Sequence, residues 1–160
     1  MGRVVSLEEL RSIRAKLRST RKKVVFTNGC FDIIHRGHIE YLTKAKALGD
    51  VLIVGVNSDE SVRRIKGNNR PIIGEEDRVY IVAHLSPVDY VCTFAEDTPL
   101  GLIGMLVPDV LVKGADWKLG DIVGKDVVEQ AGGRVATIDF VPNRSSSSII
   151  DRIVERLATR

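Results

Sequence analysis

Residues 24–56 read VVFTNGCFDIIHRGHIEYLTKAKALGDVLIVGV. Val24-Val25-Phe26-Thr27 is a short run of good strand formers, and Val51 to Val56 is a near-continuous apolar run suited to burial on both faces of a sheet. Between them the pattern predicts a helix from about Gly37 to Leu48, stopped by Gly49. Strand, helix, strand in that order is a crossover unit, and strands joined by a crossover helix lie parallel.

The same alternation continues outward in both directions. Upstream, Ser6-Leu7-Glu8-Glu9 reads as a capping box, and Leu7, Leu10, Ile13 and Leu17 recur at helical spacing, so residues 7–18 form an amphipathic helix. Downstream, residues 75–86 read as a helix ended by Pro87, and Val88 to Phe94 as a strand. Thr98 is placed as an N-cap with Pro99 at the first helical position, opening a helix to Val107. Pro108 breaks it before the strand Val110-Leu111-Val112. Residues 121–131 are helical and end in Gly132-Gly133, Arg134 to Phe140 is a strand, and Ser148 to Leu157 is a closing helix. The class is therefore α/β, a Rossmann-like doubly wound parallel sheet of about five strands with helices on both faces. Residues 1–22 stand as a helical extension before a domain of residues 23–160.

Bulk properties narrow the function. A chain of 160 residues with 28% charged and 44% hydrophobic residues is an ordinary globular domain. No apolar run approaches the roughly 18 residues that span a bilayer, and Met1 to Lys23 lacks a signal-peptide core, so a cytoplasmic protein without membrane contact is expected. Cys30 and Cys92 match no zinc or redox spacing and read as reduced packing residues. A net charge of +3 suits an anionic ligand and falls short of a nucleic-acid binder.

In open parallel sheets ligands bind beyond the carboxyl ends of the strands. The polar and glycine-rich stretches fall there: Asn28-Gly29, Asn57-Ser58-Asp59, Lys113-Gly114 and Asn143 to Ser148. The densest is Thr27 to His38, which holds two of the three histidines as His35-x-Gly37-His38 at the start of a helix. Free backbone N–H groups and the helix dipole make that place an anion site. Gly37 lets a bulky anion approach, and two imidazoles can donate to phosphate oxygens, adding positive charge if protonated. A zinc site is disfavoured because only Asp32 stands near as a third ligand, so no protein-bound metal is expected.

The string N-G-x-F-D-x-x-H-x-G-H at Asn28 to His38 resembles the signature of the cytidylyltransferase-like nucleotidyltransferases. Residues 24 to about 153 resemble, more narrowly, the adenylyltransferases that make ADP-heptose for lipopolysaccharide or surface-layer glycans. Supporting stretches include Val56-Asn57-Ser58-Asp59, Lys66-Gly67, Arg70-Pro71, Asp77-Arg78, Glu96-Asp97-Thr98-Pro99 and Pro108 to Gly114. In that family the enzyme is half of a fusion with a sugar kinase or a separate protein, and a chain of this length resembles the stand-alone form.

The resemblance implies that His35 and His38 hold the triphosphate of ATP during in-line attack at the α-phosphorus, with Mg2+ bridging the phosphates. Arg78 is expected to join them as a phosphate or substrate contact. Thr27, Asn28, Gly29, Phe31 and Gly37 would shape the nucleotide pocket, with Lys113 and Gly114 from a later strand end. Asn143, Ser145, Ser146 and Ser147 stand where the family has a Ser-Thr-Thr signature that binds triphosphate, and Arg144 lies among them. For the sugar phosphate the expected contacts are Asp32 (which otherwise braces its loop), Lys44, Asn57, Asp59, Lys66, Arg70, Asp116, Trp117 and Arg144. Lys66 and Arg70 are expected on a flexible loop. A homodimer is expected from the family.

Three functions compete. One is adenylyl transfer from ATP to D-glycero-D-manno-heptose 1-phosphate. A second is cytidylyl transfer from CTP to glycerol 3-phosphate or another phosphorylated polyol, which the histidine motif cannot separate because it reads phosphates. The third is a non-catalytic nucleotide-binding module. A nicotinamide-binding domain is disfavoured, since no G-x-G-x-x-G follows the first strand.

Overall fold

The computed structural model describes residues 1–142 and 144–158. Six strands form one wholly parallel sheet: β1 (Arg3–Val4), β2 (Val24–Gly29), β3 (Val51–Asn57), β4 (Tyr90–Phe94), β5 (Val110–Gly114) and β6 (Arg134–Ile138), in the order β1-β4-β3-β2-β5-β6. The helices are α1 (Leu7–Ser19), α2 (Arg36–Lys46), α3 (Asp59–Lys66), α4 (Glu75–Ala83), α5 (Leu100–Leu106), α6 (Lys125–Gln130) and α7 (Ser146–Ala158). Among the described residues no helix is long and apolar enough to cross a membrane.

Alternation along β2 explains why its sequence looks uniformly apolar. Val25 packs with Leu42, Ala45, Val79 and Val82 on the face covered by α2 and α4. Val24 and Phe26 point the other way, onto Leu10, Leu102, Ile103, Leu106 and Val128 from α1, α5 and α6. A strand buried on both faces has no polar side to show. From β2 the chain steps outward through β3 to β4, then returns to β5 on the opposite flank. That reversal leaves a crevice between the carboxyl ends of β2 and β5, the switch point where open α/β sheets take ligands.

The N-terminal residues are built into this sheet. Arg3 and Val4 pair with Tyr90 and Val91, and Ser6 and Glu9 close the expected capping box of α1. Arg14 is buried, donating from Nε to Leu106 O at 2.8 Å and from Nη2 to Val107 O at 2.7 Å, which satisfies the carboxyl end of α5. Six strands replace the expected five because a two-residue strand carries no alternation to read.

Three boundaries that shape the ligand crevice differ from expectation. Residues 59–66 form a helix, with Ser58 as N-cap accepting from Ser61 N, in a stretch too polar to show a helical stripe. Thr98 caps nothing: Pro99 occupies the N-cap of α5 without a side-chain bond, leaving Thr98 in the loop beyond β4. The strand β6 ends at Ile138, so Phe140 leaves the sheet, and α7 starts two residues earlier than expected, at Ser146.

Candidate active site

A cavity of about 950 Å³ opens over the carboxyl ends of β2, β3, β4, β5 and β6, lined from Asn28 to Ser148 mainly by the segments that follow those strands. Its floor is the loop between β2 and α2. Thr27 lies beneath that floor rather than in it, buried, with Oγ1 2.8 Å from the Tyr41 hydroxyl. Phe31 takes a left-handed conformation, φ 49°, which costs a residue with a Cβ roughly 1–2 kcal/mol. Its ring lies against Gly29, where an added Cβ would sit 3.1 Å from Phe31 Cε2.

Both histidines reach the cavity from the first turn of α2. His35 is the N-cap, and its Nδ1 accepts from Gly37 N at 3.1 Å. His38 sits at N3 and its Nδ1 accepts, at 3.4 Å, from His35 N. This is a capping box made of imidazoles. The rings stack with centroids 4.0 Å apart, and Phe31 covers His38 at 5.4 Å. A Cβ on Gly37 would stand 3.0 Å from His35 Nδ1 and Cε1, so glycine there keeps the ring in place.

With Nδ1 occupied as an acceptor, each neutral ring carries its proton on Nε2. Burial, with Arg144 adding repulsion, holds His35 below the usual imidazole range. Burial and then the neighbouring His35 push His38 down to about 4. The histidines are therefore neutral N–H donors near pH 7, so the protonation that would let them add positive charge is disfavoured.

One flank of the cavity follows β5 and β6. Lys113 Nζ donates to Asn28 Oδ1, tying the ends of β5 and β2 across the switch point. Burial pushes its pKa down to about 8 against the opposing pull of Asp116, and Nζ lies 5.9 Å from the Trp117 ring centroid. Any side chain on Gly114 would drive into the Phe140 ring, which also meets Tyr41 at 5.8 Å. Ser146 Oγ donates to Ile33 O at 2.9 Å, and Ser145 Oγ accepts from Ser148 N at 3.0 Å, so α7 begins hooked to the β2–α2 loop. Arg144 and Ser145 to Ser148 line this flank, while Asn143 lies outside the described residues.

The other flank follows β3 and β4. Asn57 is buried at the cavity wall with Nδ2 on Ser61 Oγ at 3.0 Å. Asp32, 2% exposed, accepts from Ile72 N and Ile73 N at 2.9 Å and from Arg70 Nε at 2.5 Å. Burial alone would raise this carboxyl, but those three donors prevail and hold it below the usual carboxylate range. Asp32 is thus a brace for the segment after α3, and Arg70 is held rather than loose. Lys66, exposed at the end of α3, also lines the cavity.

Besides Thr27, four expected contacts do not line the cavity. Arg78 has no solvent exposure and spans from Cys30 O, at 2.5 Å, to Asp59 Oδ1, at 2.8 Å; its Nε has no partner among the described residues. An arginine buried in the wall braces the floor loop instead of touching a ligand, and Asp59 is committed to it. Lys44 points to solvent from the outer side of α2, because six residues beyond His38 is not a whole number of turns. Asp116 is exposed beside Gly114. Conversely, the cavity includes Tyr41, Asp97, Thr98 and Pro99, to which the sequence reading gave no site role. Tyr41 lies one turn beyond His38, and the rest follow strand ends, a rule that pointed to them without choosing them.

Among the described residues no group of three or more His, Cys, Asp or Glu side chains could hold a metal. The donor set fits Mg2+ only as an ion carried by a triphosphate, whose oxygens and water are its usual ligands.

A parallel sheet with a neutral donor pair on a helix start, at the switch point, is the apparatus of a nucleotidyltransferase. The chain belongs to the cytidylyltransferase-like family, which it matches over residues 26–152. It is 55% identical over 149 residues to the bifunctional protein HldE of Syntrophotalea carbinolica, covering 93% of this chain and 30% of that protein. The same protein of Geobacter sulfurreducens is 52% identical, covering 96% and 31%. The chain thus spans about a third of the length of these relatives. Among solved structures, the lipopolysaccharide core biosynthesis protein of Thermoplasma volcanium is 30% identical with TM-score 0.61, covering 75% of this chain and 97% of that one. The pantoate-beta-alanine ligase of Francisella tularensis, 16% identical with TM-score 0.62 over 92% of this chain, shares the fold.

Proposed function

We propose that the chain joins D-glycero-D-manno-heptose 1-phosphate to the adenylyl group of MgATP, forming ADP-heptose and pyrophosphate. A phosphate oxygen of the sugar phosphate forms a bond to the α-phosphorus. The bond from that phosphorus to the α–β bridging oxygen breaks, and its electron pair leaves with pyrophosphate. The acceptor is already an anion near neutral pH, so no general base is required, and catalysis reduces to positioning and charge stabilisation. Magnesium, arriving with the triphosphate, offsets charge on its oxygens.

The observation that carries this reading is the pair of Nε2–H donors at the start of α2, opposite the serine-lined start of α7 in one cavity. In this reading His35 and His38 meet the charge that develops on the leaving pyrophosphate. The first-turn N–H groups of α7, Ser145, Ser147 and Arg144 hold the triphosphate, and Asn28, Gly29, Gly37, Lys113 and Gly114 border the nucleotide. Trp117 and Asn57 face the sugar side. The high identity to HldE proteins and the likeness to a lipopolysaccharide core biosynthesis protein support the heptose substrate. We read the protein as a cytoplasmic homodimer.

A pyrophosphate-release assay crossing four nucleoside triphosphates with heptose, hexose and glycerol phosphates tests the reaction. ATP with heptose 1-phosphate is expected to exceed CTP by at least ~10-fold in kcat/KM, a difference of about 1.4 kcal/mol. Preferential use of CTP with glycerol 3-phosphate would replace this reading by the cytidylyl one.

A further inference from the structure

Four cationic side chains line the cavity: Lys66, Arg70, Lys113 and Arg144. Lys113 is engaged with Asn28, and Lys66 and Arg144 are exposed. Arg70, like the buried Lys113, is both sheltered and fixed, its side chain 16% exposed and its Nε held by Asp32, whose side chain is 1% exposed and anchored by Ile72 N and Ile73 N. Only Nε is used. Arg70 lines the cavity, and its two terminal nitrogens, with four N–H groups between them, have no hydrogen-bond partner among the described residues. A guanidinium gripped by its Nε edge and open at its terminal edge is a fork ready for an oxyanion, and holding it in advance reduces the rotamer entropy lost on binding.

We propose that Arg70 binds the phosphate of the acceptor, not the triphosphate, and that Asp32 is the positioning residue that aims it. The argument rests on the reaction proposed above and on its stereochemistry. In-line displacement puts the attacking and leaving oxygens on opposite sides of the phosphorus. The leaving side is marked by the imidazoles and the α7 start, which reach the cavity from the central strand β2 and from the β6 flank. Arg70 enters from the segment after α3, on the β3 flank of β2. An anion on Arg70 therefore stands across the reacting phosphorus from the leaving group. Phosphomonoesters, with two or three equivalent oxygens, match the fork; a neutral sugar does not.

The test separates the two substrates kinetically. Arg70→Gln and Arg70→Lys are expected to raise KM for the sugar phosphate on the order of 30-fold, with KM for ATP moving less than about 3-fold. Lysine fails because it cannot present two parallel donors. Asp32→Asn should show the same split in weaker form, and Asp32→Glu should recover part of it, which a merely structural brace would not do. Binding of glycerol 3-phosphate and of hexose and heptose 1-phosphates, measured by calorimetry with saturating α,β-methylene-ATP, provides a readout without turnover. If wild type binds a phosphomonoester other than heptose 1-phosphate and Arg70→Gln abolishes that binding, the heptose assignment falls and the role of Arg70 stands. If heptose 1-phosphate is turned over and the Arg70 variants lose ATP affinity instead, or lose neither, the role of Arg70 is overturned while the reaction stands.

Discussion

The two flanks of the cavity hold their polar groups by different means. On the β5–β6 flank and the α2 start, which also hold Lys113 and Arg144, neutral side chains are fixed by main-chain partners: His35 by Gly37 N, His38 by His35 N, Ser146 by Ile33 O. On the β3–β4 flank, arginines are fixed by carboxylates: Arg70 by Asp32 and Arg78 by Asp59. Neutral donors suit a place where charge appears during the reaction and must be met without prior desolvation of an ion. Ion-paired guanidiniums suit a place where charge is already present in the ground state. The contrast also separates stability from rate, since a buried arginine that loses its partner is costly whereas removing an imidazole donor costs no more than a helix cap.

Four measurements bear on this division. Arg78→Ala removes the buried cation between Cys30 and Asp59 and should lower unfolding free energy by about 3–5 kcal/mol in chemical denaturation. A loss under about 1 kcal/mol would mean that the floor loop is held some other way. His35→Ala or His38→Ala should cut kcat by ~100-fold or more, about 3 kcal/mol, while the lost capping bond lowers stability by about 1 kcal/mol and leaves the fold intact. Unaltered turnover in either variant would remove the imidazoles from the chemistry.

Replacing Ser145, Ser146 and Ser147 together by alanine should weaken ATP binding more than sugar-phosphate binding, by roughly 10-fold, since hydroxyls and the Ile33 tether are lost while backbone donors remain. Thermal-shift titration with each ligand reads the difference, and equal loss for both ligands would mean a capping role alone. The smallest effect is spectroscopic. The His38 ring should titrate near pH 4 by NMR, and His35→Gln should move it modestly upward, because burial, the larger cause, remains. Since its folded pKa lies below the unfolded value, His38 withdraws stability as pH falls from about 6.5 toward 4.

Much of this was legible in the chain. Apolar strands and capped helices showed an α/β sheet, because each local pattern agrees with the global one. The histidine pair stood out because rare residues clustered at a helix start. What could not be read was which arginine reaches the cavity. Arg70 and Arg78 sit eight residues apart among similar neighbours, and their fates depend on whether Asp32 or Asp59 lies opposite in space. The sequence named both as contacts, and the fold puts only Arg70 at the cavity, with Arg78 buried in its wall. Helix α3 escaped for a related reason: DESVRRIK buries only Ser61 and Val62, too few to mark a face.

Helix α7 contributes no buried residue along its 13 positions, so packing does little to keep it helical, and an isolated helix of that length is marginal in water. Its first turn is tied to the β2–α2 loop by the Ser146–Ile33 bond. A triphosphate accepting from that turn would anchor the same end. Nucleotide affinity and C-terminal helix order are then one thermodynamic quantity viewed from two sides: amide exchange along residues 146–158 slows as nucleotide saturates, and substitutions far down the helix alter the apparent Kd without touching the ligand.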